Sequence, residues 1–323
     1  APKKTKIGIP RVLNLFENYP FWHALLTESG LQVVLSPESN TKLYLKGVGS
    51  IMSDNICFPA KLVHGHILAL VDQGVDRIFY PMVIKDKKEF ESASNSYNCP
   101  VVCGYPDVIR SAMDPAERYN VPLDKPVVTF SNIKALRKAC YNYLASLGVP
   151  EERFAQAFTK AMEAKDATDK QLVVAQKERF DKAVSDNKLV FVVAGRPYHT
   201  DPLVQQKVGQ ILTDMGAHVF TDDLFRGDDH EGLRDLNIVT QWPYPNRVVK
   251  AALEVAKLPM NVQLIQLNSF GCGPDSFFMD EIGKIMRQSG KNHTILRIDE
   301  ISSPGSVRLR MRSLIESLKA TQP

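Results

Sequence analysis

Short apolar runs alternate with helical patterns along this 323-residue chain, and in two places they do so at the same intervals. Pro10 to Gly30 is 20 positions and Pro197 to Gly216 is 19, each spanning a turn, a helical stretch and a glycine stop. Pro59 to Ile78 and Pro245 to Leu264 are both 19 positions, each spanning a helix and the strand after it. Strands joined through a helix pair in parallel, because the helix returns the chain to the end of the sheet where it started. The sequence therefore reads as α/β, with two flavodoxin- or Rossmann-like open parallel-sheet domains related by pseudo-duplication and joined by a long helical segment. Coincidence between unrelated strand–helix–strand units is the alternative, since loops of this length are common. The expected boundaries are an N-terminal α/β domain at 1–150, a helical connector at 151–185 and a C-terminal α/β domain at 186–323.

In the first half the apolar runs predict strands at Ile7–Pro10, Leu31–Leu35, Arg77–Tyr80, Pro100–Cys103 and Val127–Phe130. Helices are expected at Tyr19–Ser29, Pro59–Asp72, Asp107–Met113 and Asn132–Leu147, and the polar stretch from Ile84 to Asn98 reads as a surface excursion. Glu151 to Ser185 holds no glycine or proline and is rich in alanine and charge, which favours helix. In the second half strands are expected at Leu189–Ala194, His218–Thr221, Val262–Leu267 and Thr294–Ile298. Helices are expected there at Leu203–Met215, Asn246–Ala256, Ser276–Gln288 and Ser306–Lys319.

The net charge of +4 comes from scattered lysines and arginines, with no basic stripe of the kind a nucleic-acid surface needs. No run approaches the roughly 18 apolar residues of a membrane span, and no signal-peptide core follows Ala1-Pro2-Lys3-Lys4. Five cysteines, an odd number without dense pairing, suit a reducing compartment. The expectation is a soluble cytoplasmic protein, or a soluble piece of a longer chain, with no nucleic-acid or membrane partner.

Three thiols lie at element ends. Cys272 sits between two glycines in Ser269-Phe-Gly-Cys-Gly-Pro-Asp275, between a strand and a helix, where open α/β sheets bind ligands. Cys57 precedes Pro59, and Cys99 precedes Pro100. With no pair of CxxC knuckles, any metal site must be assembled from distant segments, and thiolates from several loops suit iron–sulfur clusters. For each thiol alone the competing reading is a small buried hydrophobe. Cys140 is read that way, and Cys103 as a core residue or a fourth ligand. His64 and His66 are two positions apart on a helix and so face different ways, which argues against a shared metal. Gly195-Arg-Pro-Tyr-His-Thr-Asp201 follows a strand and opens a helix, the place where an anionic group docks. Arg196, Tyr198 and His199 are its candidate cofactor-binding residues, with turn chemistry as the alternative. No residue is assigned as catalytic acid or base.

Lys6-Ile-Gly-Ile-Pro-Arg-Val-Leu-Asn14, Cys57-Phe-Pro-Ala-Lys-Leu-Val-His-Gly-His66, Asn98-Cys-Pro100, Gly195-Arg-Pro-Tyr-His199 and Ser269-Phe-Gly-Cys-Gly-Pro-Asp275 occur in this order. Together they resemble the region that follows the ATPase module in large activase-like proteins, activators of 2-hydroxyglutaryl-CoA dehydratase. That region is similar to subunits of 2-hydroxyacyl-CoA dehydratases, benzoyl-CoA reductases and double-cubane proteins, in which two flavodoxin-like domains hold an iron–sulfur cluster. The resemblance implies Cys57, Cys99 and Cys272 as metal ligands and a 4Fe-4S or double-cubane cluster that aerobic preparation would lose. It implies low-potential electron transfer in an ATP-driven system of anaerobic metabolism. It also implies a partner, either an activase ATPase domain or a dehydratase- or reductase-like subunit, with a homodimer as a further alternative. The glycine-rich phosphate loops of the ATPase module are not in this sequence, so ATP hydrolysis is not expected of it. The rival readings are a non-enzymatic dehydratase-like interaction scaffold and an acyl-CoA- or nucleotide-binding module.

Overall fold

The computed structural model describes residues 4–227, 233, 236, 238–301 and 303–321. The chain divides into two compact units, one of Ala1–Glu89, Asn95–Gln171 and Gln241–Pro243, the other of Phe90–Ser94, Leu172–Thr240 and Tyr244–Pro323.

The first unit runs β1 (Lys6–Ile9), α1 (Leu15–Glu28), β2 (Gln32–Leu35), α2 (Thr41–Gly47), α3 (Phe58–Asp72), β3 (Arg77–Phe79) and β4 (Met82–Lys85). It continues through α4 (Pro100–Met113), α5 (Pro115–Tyr119), β5 (Leu123–Asp124), β6 (Val127–Thr129), α6 (Ile133–Ser146) and the first part of α7 (Glu151–Ser185). β2, β1, β3 and β5 pair in that order, all parallel, and β4 pairs parallel with β6. The N–H of Tyr80 donates to Asp124 O at 2.8 Å and that of Met82 to Pro126 O at 3.0 Å, which carries the ladder from β3 and β5 into β4 and β6. The interruptions fall at Pro81 and Pro126, which have no N–H to give. In effect the sheet has four parallel strands in the order 2-1-3-4.

Its core is aromatic. Trp22 of α1 packs edge-on against Phe79 at 4.9 Å, and Phe21 meets Phe130 at 5.2 Å and Phe158 of α7 at 5.8 Å. Lys165 of α7 also reaches Glu17 of α1 at 3.0 Å with little solvent around either group. α3 is buried nearly all round its first ten residues because α2 packs on it at very short range. A methyl group on Gly65 would stand 2.2 Å from the Leu43 carbonyl oxygen, so only glycine permits this approach.

Two expectations change in this unit. Residues 100–103 open α4 rather than forming a strand, because Pro100 with its fixed φ starts a helix well and its missing N–H has no intrahelical role there. The stretch from Ile84 to Asn98 is not a polar surface excursion throughout. Asp86, Ser96 and Asn98 are buried, and Asp86 takes amide N–H bonds from Asn18 at 2.9 Å and Asn98 at 2.7 Å.

The second unit takes the rest of α7 and then β7 (Val190–Ala194), α8 (Val208–Asp214), β8 (His218–Thr221), α9 (Pro243–Lys257), β9 (Val262–Ser269), α10 (Gly273–Gln288), β10 (Thr294–Ile298) and α11 (Pro304–Thr321). Its strands order β10-β9-β7-β8, all parallel, which is again 2-1-3-4. α8 is shorter than the 203–215 stretch predicted. Asp201 Oδ1 takes the N–H groups of Leu203 and Val204, and Gln206 and Lys207 sit at φ 53° and 59°, so turns fill the start of that segment. Phe180 of α7 packs edge-on to Phe220 of β8 at 5.2 Å.

Lys291 ties this unit together. Its buried ammonium donates to the carbonyls of Val255 at 2.6 Å, Pro259 at 2.9 Å and Val262 at 2.9 Å, joining the end of α9 to the start of β9. Lys291→Met is expected to cost about 2–4 kcal/mol, because three acceptors at a helix C-terminus lose a charged donor. Denaturant unfolding checks this. A loss below about 0.5 kcal/mol, the range of an ordinary surface change, would show those carbonyls need no lysine.

Candidate functional site

Cys57, Cys99 and Cys272 are each the N-cap residue of a helix, of α3, α4 and α10 in turn. Each helix has proline in its first two positions, Pro59, Pro100 and Pro274, and none of the three thiols makes a cap hydrogen bond. Cys57 and Cys99 have nearly the same extended backbone, φ −61°, ψ 145° and φ −54°, ψ 140°. A sulfur at an N-cap lies in the positive field of N–H groups that have no intrahelical acceptor, which favours a thiolate. Gly271, at φ 72°, makes the turn that delivers the chain from β9 to Cys272.

The matching strand orders give these positions a common meaning. α4 follows the third strand of the first unit and α10 follows the third strand of the second, so Cys99 and Cys272 hold equivalent places. Cys57 opens the helix between the second and third strands. Its counterpart α9 begins at Pro243 after Trp242, where no cysteine stands.

The other two thiols are committed elsewhere. Cys103 donates its S–H to the Val83 carbonyl at 3.2 Å, and burial, helped by the negative fields of Cys99 and Asp86, pushes its pKa up to about 12. Cys140 is 2% exposed among the core residues of α6, and burial pushes its thiol well above the usual range.

Further along α3 the structure pairs imidazoles with hydroxyls. His64 and His66 are both fully buried with separate partners. His66 sits between Ser36 Oγ at 2.7 Å and Ser39 Oγ at 2.9 Å. Ser50 donates to Gly47 O, so the Nδ1–H of His64 donates to Ser50 at 2.8 Å, and the Tyr105 hydroxyl donates to His64 Nε2 at 3.1 Å. Tyr105 also lines an apolar groove of about 450 Å³ with Met52, Ile56, Val101 and Val108.

Around Cys272 the structure is ionic. One Arg196 nitrogen, Nη2, lies 2.6 Å from Asp275 Oδ1 and 3.1 Å from Cys272 Sγ. Burial pushes the Cys272 thiol up to about 12, against the lowering field of Arg196. His199 Nδ1 accepts the backbone N–H of Arg196 at 3.2 Å, so its Nε2–H donates to Ser269 Oγ at 3.0 Å. Burial lowers the His199 pKa to about 4, which keeps the ring neutral. Arg196 and His199 line a cavity of about 210 Å³, whereas Tyr198 is buried edge-on against His199. Phe270, Cys272, Ser276, Met279 and Arg297 line a neighbouring cavity of about 330 Å³.

Residues 6–225 match the family described as CoA enzyme activase uncharacterised domain (DUF2229). The chain belongs to this family. The matched stretch holds Cys57, Cys99 and Arg196, while Cys272 lies beyond it. No curated protein matches the chain. Among solved structures, the C-terminal domain of glucosamine-fructose-6-phosphate aminotransferase from Francisella tularensis aligns at 10% identity over 99% of this chain and 86% of its own, with a TM-score of 0.26. A hypothetical protein from Thermus thermophilus aligns at 11% identity over 98% and 77%, with a TM-score of 0.21. At such scores neither likeness carries an argument. No helix among the described residues is long and apolar enough to cross a membrane.

The donor chemistry of this activase-family chain fits an iron–sulfur centre, which takes soft thiolates and hydrogen bonds to its sulfur. Cys57, Cys99 and Cys272 are thiols at helix starts, and Arg196 Nη2 lies 3.1 Å from the Cys272 sulfur. Among the described residues no three His, Cys, Asp or Glu side chains gather to hold a metal ion. Asp275 has no role in the sequence reading; the Arg196–Asp275 pair spans 79 positions, and nothing local marks it.

Two outcomes are expected. Asp275→Asn leaves the buried Arg196 charge without its carboxylate and should cost about 3–5 kcal/mol, whereas the double change Arg196→Met, Asp275→Leu should cost clearly less. Equal losses in thermal unfolding would show that the pair is not coupled. Burial lowers the pKa of His64 to about 4 and of His66 to about 3, so unfolding takes up protons below the ordinary histidine range. Stability is therefore full above about pH 6.5 and falls as the pH drops towards 4 and 3, by about 1.4 kcal/mol per pH unit for each ring. His66→Asn should flatten that slope between pH 6.5 and 4 by about one proton, and an unchanged slope in denaturant titrations counts against it.

Proposed function

We propose that this CoA enzyme activase-family chain binds an iron–sulfur centre through Cys57, Cys99 and Cys272 and passes low-potential electrons within an ATP-driven system, in concert with an activase ATPase domain or a dehydratase- or reductase-like partner. The observation that carries this reading is the shared N-cap station of the three cysteines, two of them at equivalent places in the two units, while Cys103 and Cys140 are occupied by a carbonyl and by the core. A bound centre of this kind supplies a one-electron carrier whose potential depends on burial and on hydrogen bonds to sulfur. The protein's own contribution is to hold the thiolates. Helix N-termini stabilise their charge, Gly271 shapes the approach to Cys272, and Arg196, fixed by Asp275, donates to the Cys272 sulfur. No side chain is required to move a proton for that role. Arg196 and His199 of the neighbouring 210 Å³ cavity are kept as cofactor-binding residues, with Tyr198 supporting the His199 ring from the side.

A second reading, a dehydratase-like interaction module without a cofactor, draws on the lack of any gathered metal-ligating trio among the described residues. Anaerobic reconstitution with ferrous iron and sulfide separates the two. The parent protein should take up both and gain broad visible absorbance. Cys57→Ala, Cys99→Ala and Cys272→Ala should each lose most of it, and Cys140→Ala should keep it. Uptake that is absent in the parent, or equal in all four variants, sinks the electron-carrier reading.

A further inference from the structure

The cavity of about 210 Å³ in the second unit lies at the carboxyl ends of β7 and β8, with Val193, Val208, Val219 and Leu267 as its apolar walls. β7 and β8 are the first and second strands of that unit and direct parallel neighbours, with Val193 paired to Thr221. Two strand exits close the cavity: Gly195-Arg196 leaves β7, and Asp222 follows β8 directly. In open parallel sheets the turn after the first strand and an acid beyond the second enclose the ribose of a bound nucleotide, and the acid takes the ribose hydroxyls.

The polar groups still open to a ligand decide what this cavity takes. His199 spends both ring nitrogens, accepting from the Arg196 N–H and donating to Ser269, and Arg196 Nη2 is held by Asp275 and Cys272. Gln205 gives its amide N–H to Thr200 O at 3.2 Å, and its Oε1 remains an acceptor beside Gly209, where a Cβ would stand 3.9 Å away. The Asp222 carboxylate takes a hydrogen bond from its own backbone N–H, while Arg247 and Arg226 act on it through their fields, so among the described residues no side chain donates to it. Burial and the charge of Asp223 push its pKa up to about 7. A carboxylate kept against both influences is completed by a ligand that brings donors. Two acceptors beside an arginine that is already paired suit hydroxyls rather than phosphate. Gly195-Arg-Pro-Tyr-His-Thr200 also lacks the second and third glycines of a dinucleotide turn, so the phosphate half of such a site is not built here. The volume agrees: 210 Å³ is below the roughly 300 Å³ at which pockets for whole drug-sized ligands begin, and suits a sugar ring.

We propose that this cavity binds the ribose of a ribonucleoside, with Asp222 and Gln205 Oε1 accepting from its 2′- and 3′-hydroxyls and the valines and Leu267 covering the ring. This names a ligand class for the cavity that Arg196 and His199 wall. It stands apart from the iron–sulfur reading, because no cysteine lines the cavity and the binding needs no metal.

The test titrates the full metal-free chain with adenosine, guanosine, cytidine and uridine by calorimetry. At least one should bind, and its 2′,3′-dideoxy analogue should bind at least about 10-fold more weakly, because it cannot donate to the carboxylate. Asp222→Asn should weaken the ribonucleoside by a similar factor; should that variant fail to fold, the dideoxy comparison on the parent decides alone. The 5′-monophosphate should bind no better than the nucleoside. If none of these nucleosides binds, or the dideoxy analogue binds as well as its ribonucleoside, the inference falls. It also falls if the 5′-monophosphate binds clearly tighter, which would make the cavity a phosphate site. Iron uptake is read in a separate reconstitution, so loss of nucleoside binding leaves the electron-carrier reading standing, and loss of iron uptake leaves this one.

Discussion

Parallel pairing is the constraint from which the rest of each unit follows. A strand can lie parallel to its neighbour only if the chain returns along the sheet, and here helices make that return. Each return helix runs against its strands, so its N-terminus opens where the strands end. The unsatisfied N–H groups of α3 and α4 therefore collect along one edge of the first sheet, and those of α10 open on the same edge of the second. A thiol placed as an N-cap inherits that field with no further device. Cys57, Cys99 and Cys272 need only proline just after them to fix the helix start.

This explains how much of the molecule was legible in its residues. Strand–helix intervals imposed by a parallel sheet leave a trace, and the 19- and 20-residue spacings predicted the α/β class and parallel sheets that are found. Cysteine beside proline leaves a trace as well. The misread stretch is informative for the same reason. Pro100 to Cys103 is a short apolar run that period alone cannot assign, and its proline is the first residue of α4.

Long-range polar contacts leave no such trace. His64 and His66 face different ways, as their spacing requires, yet both are buried because α2 covers the side of α3 that a surface helix would show to water. That cover depends on Gly65 lying against Leu43, a contact between helices whose sequence signal is one unremarkable glycine. Arg196 and Asp275 are likewise brought together by two strand ends of one sheet, β7 and β9, which are neighbours in space and far apart in sequence.

The two units keep one plan and diverge at its edges. At the first station the second residue after the opening strand is arginine in both, Arg11 after β1 and Arg196 after β7, but the surroundings differ. Arg11 donates to the backbone of Ser36 and stays partly in solvent, while Arg196 is buried on a carboxylate and a thiol. At the second station the counterpart of Cys57 is Trp242-Pro243, and at the third both units carry cysteine. Duplicated folds preserve backbone stations because packing enforces them, whereas the side chain at a station is held only by what it does there. Cysteine caps the helix at the third station of both units, in turns that otherwise share little beyond a following proline. Beside one of those sulfurs the buried Arg196 is held by Asp275, a pair whose desolvation a well-packed apolar pair would avoid.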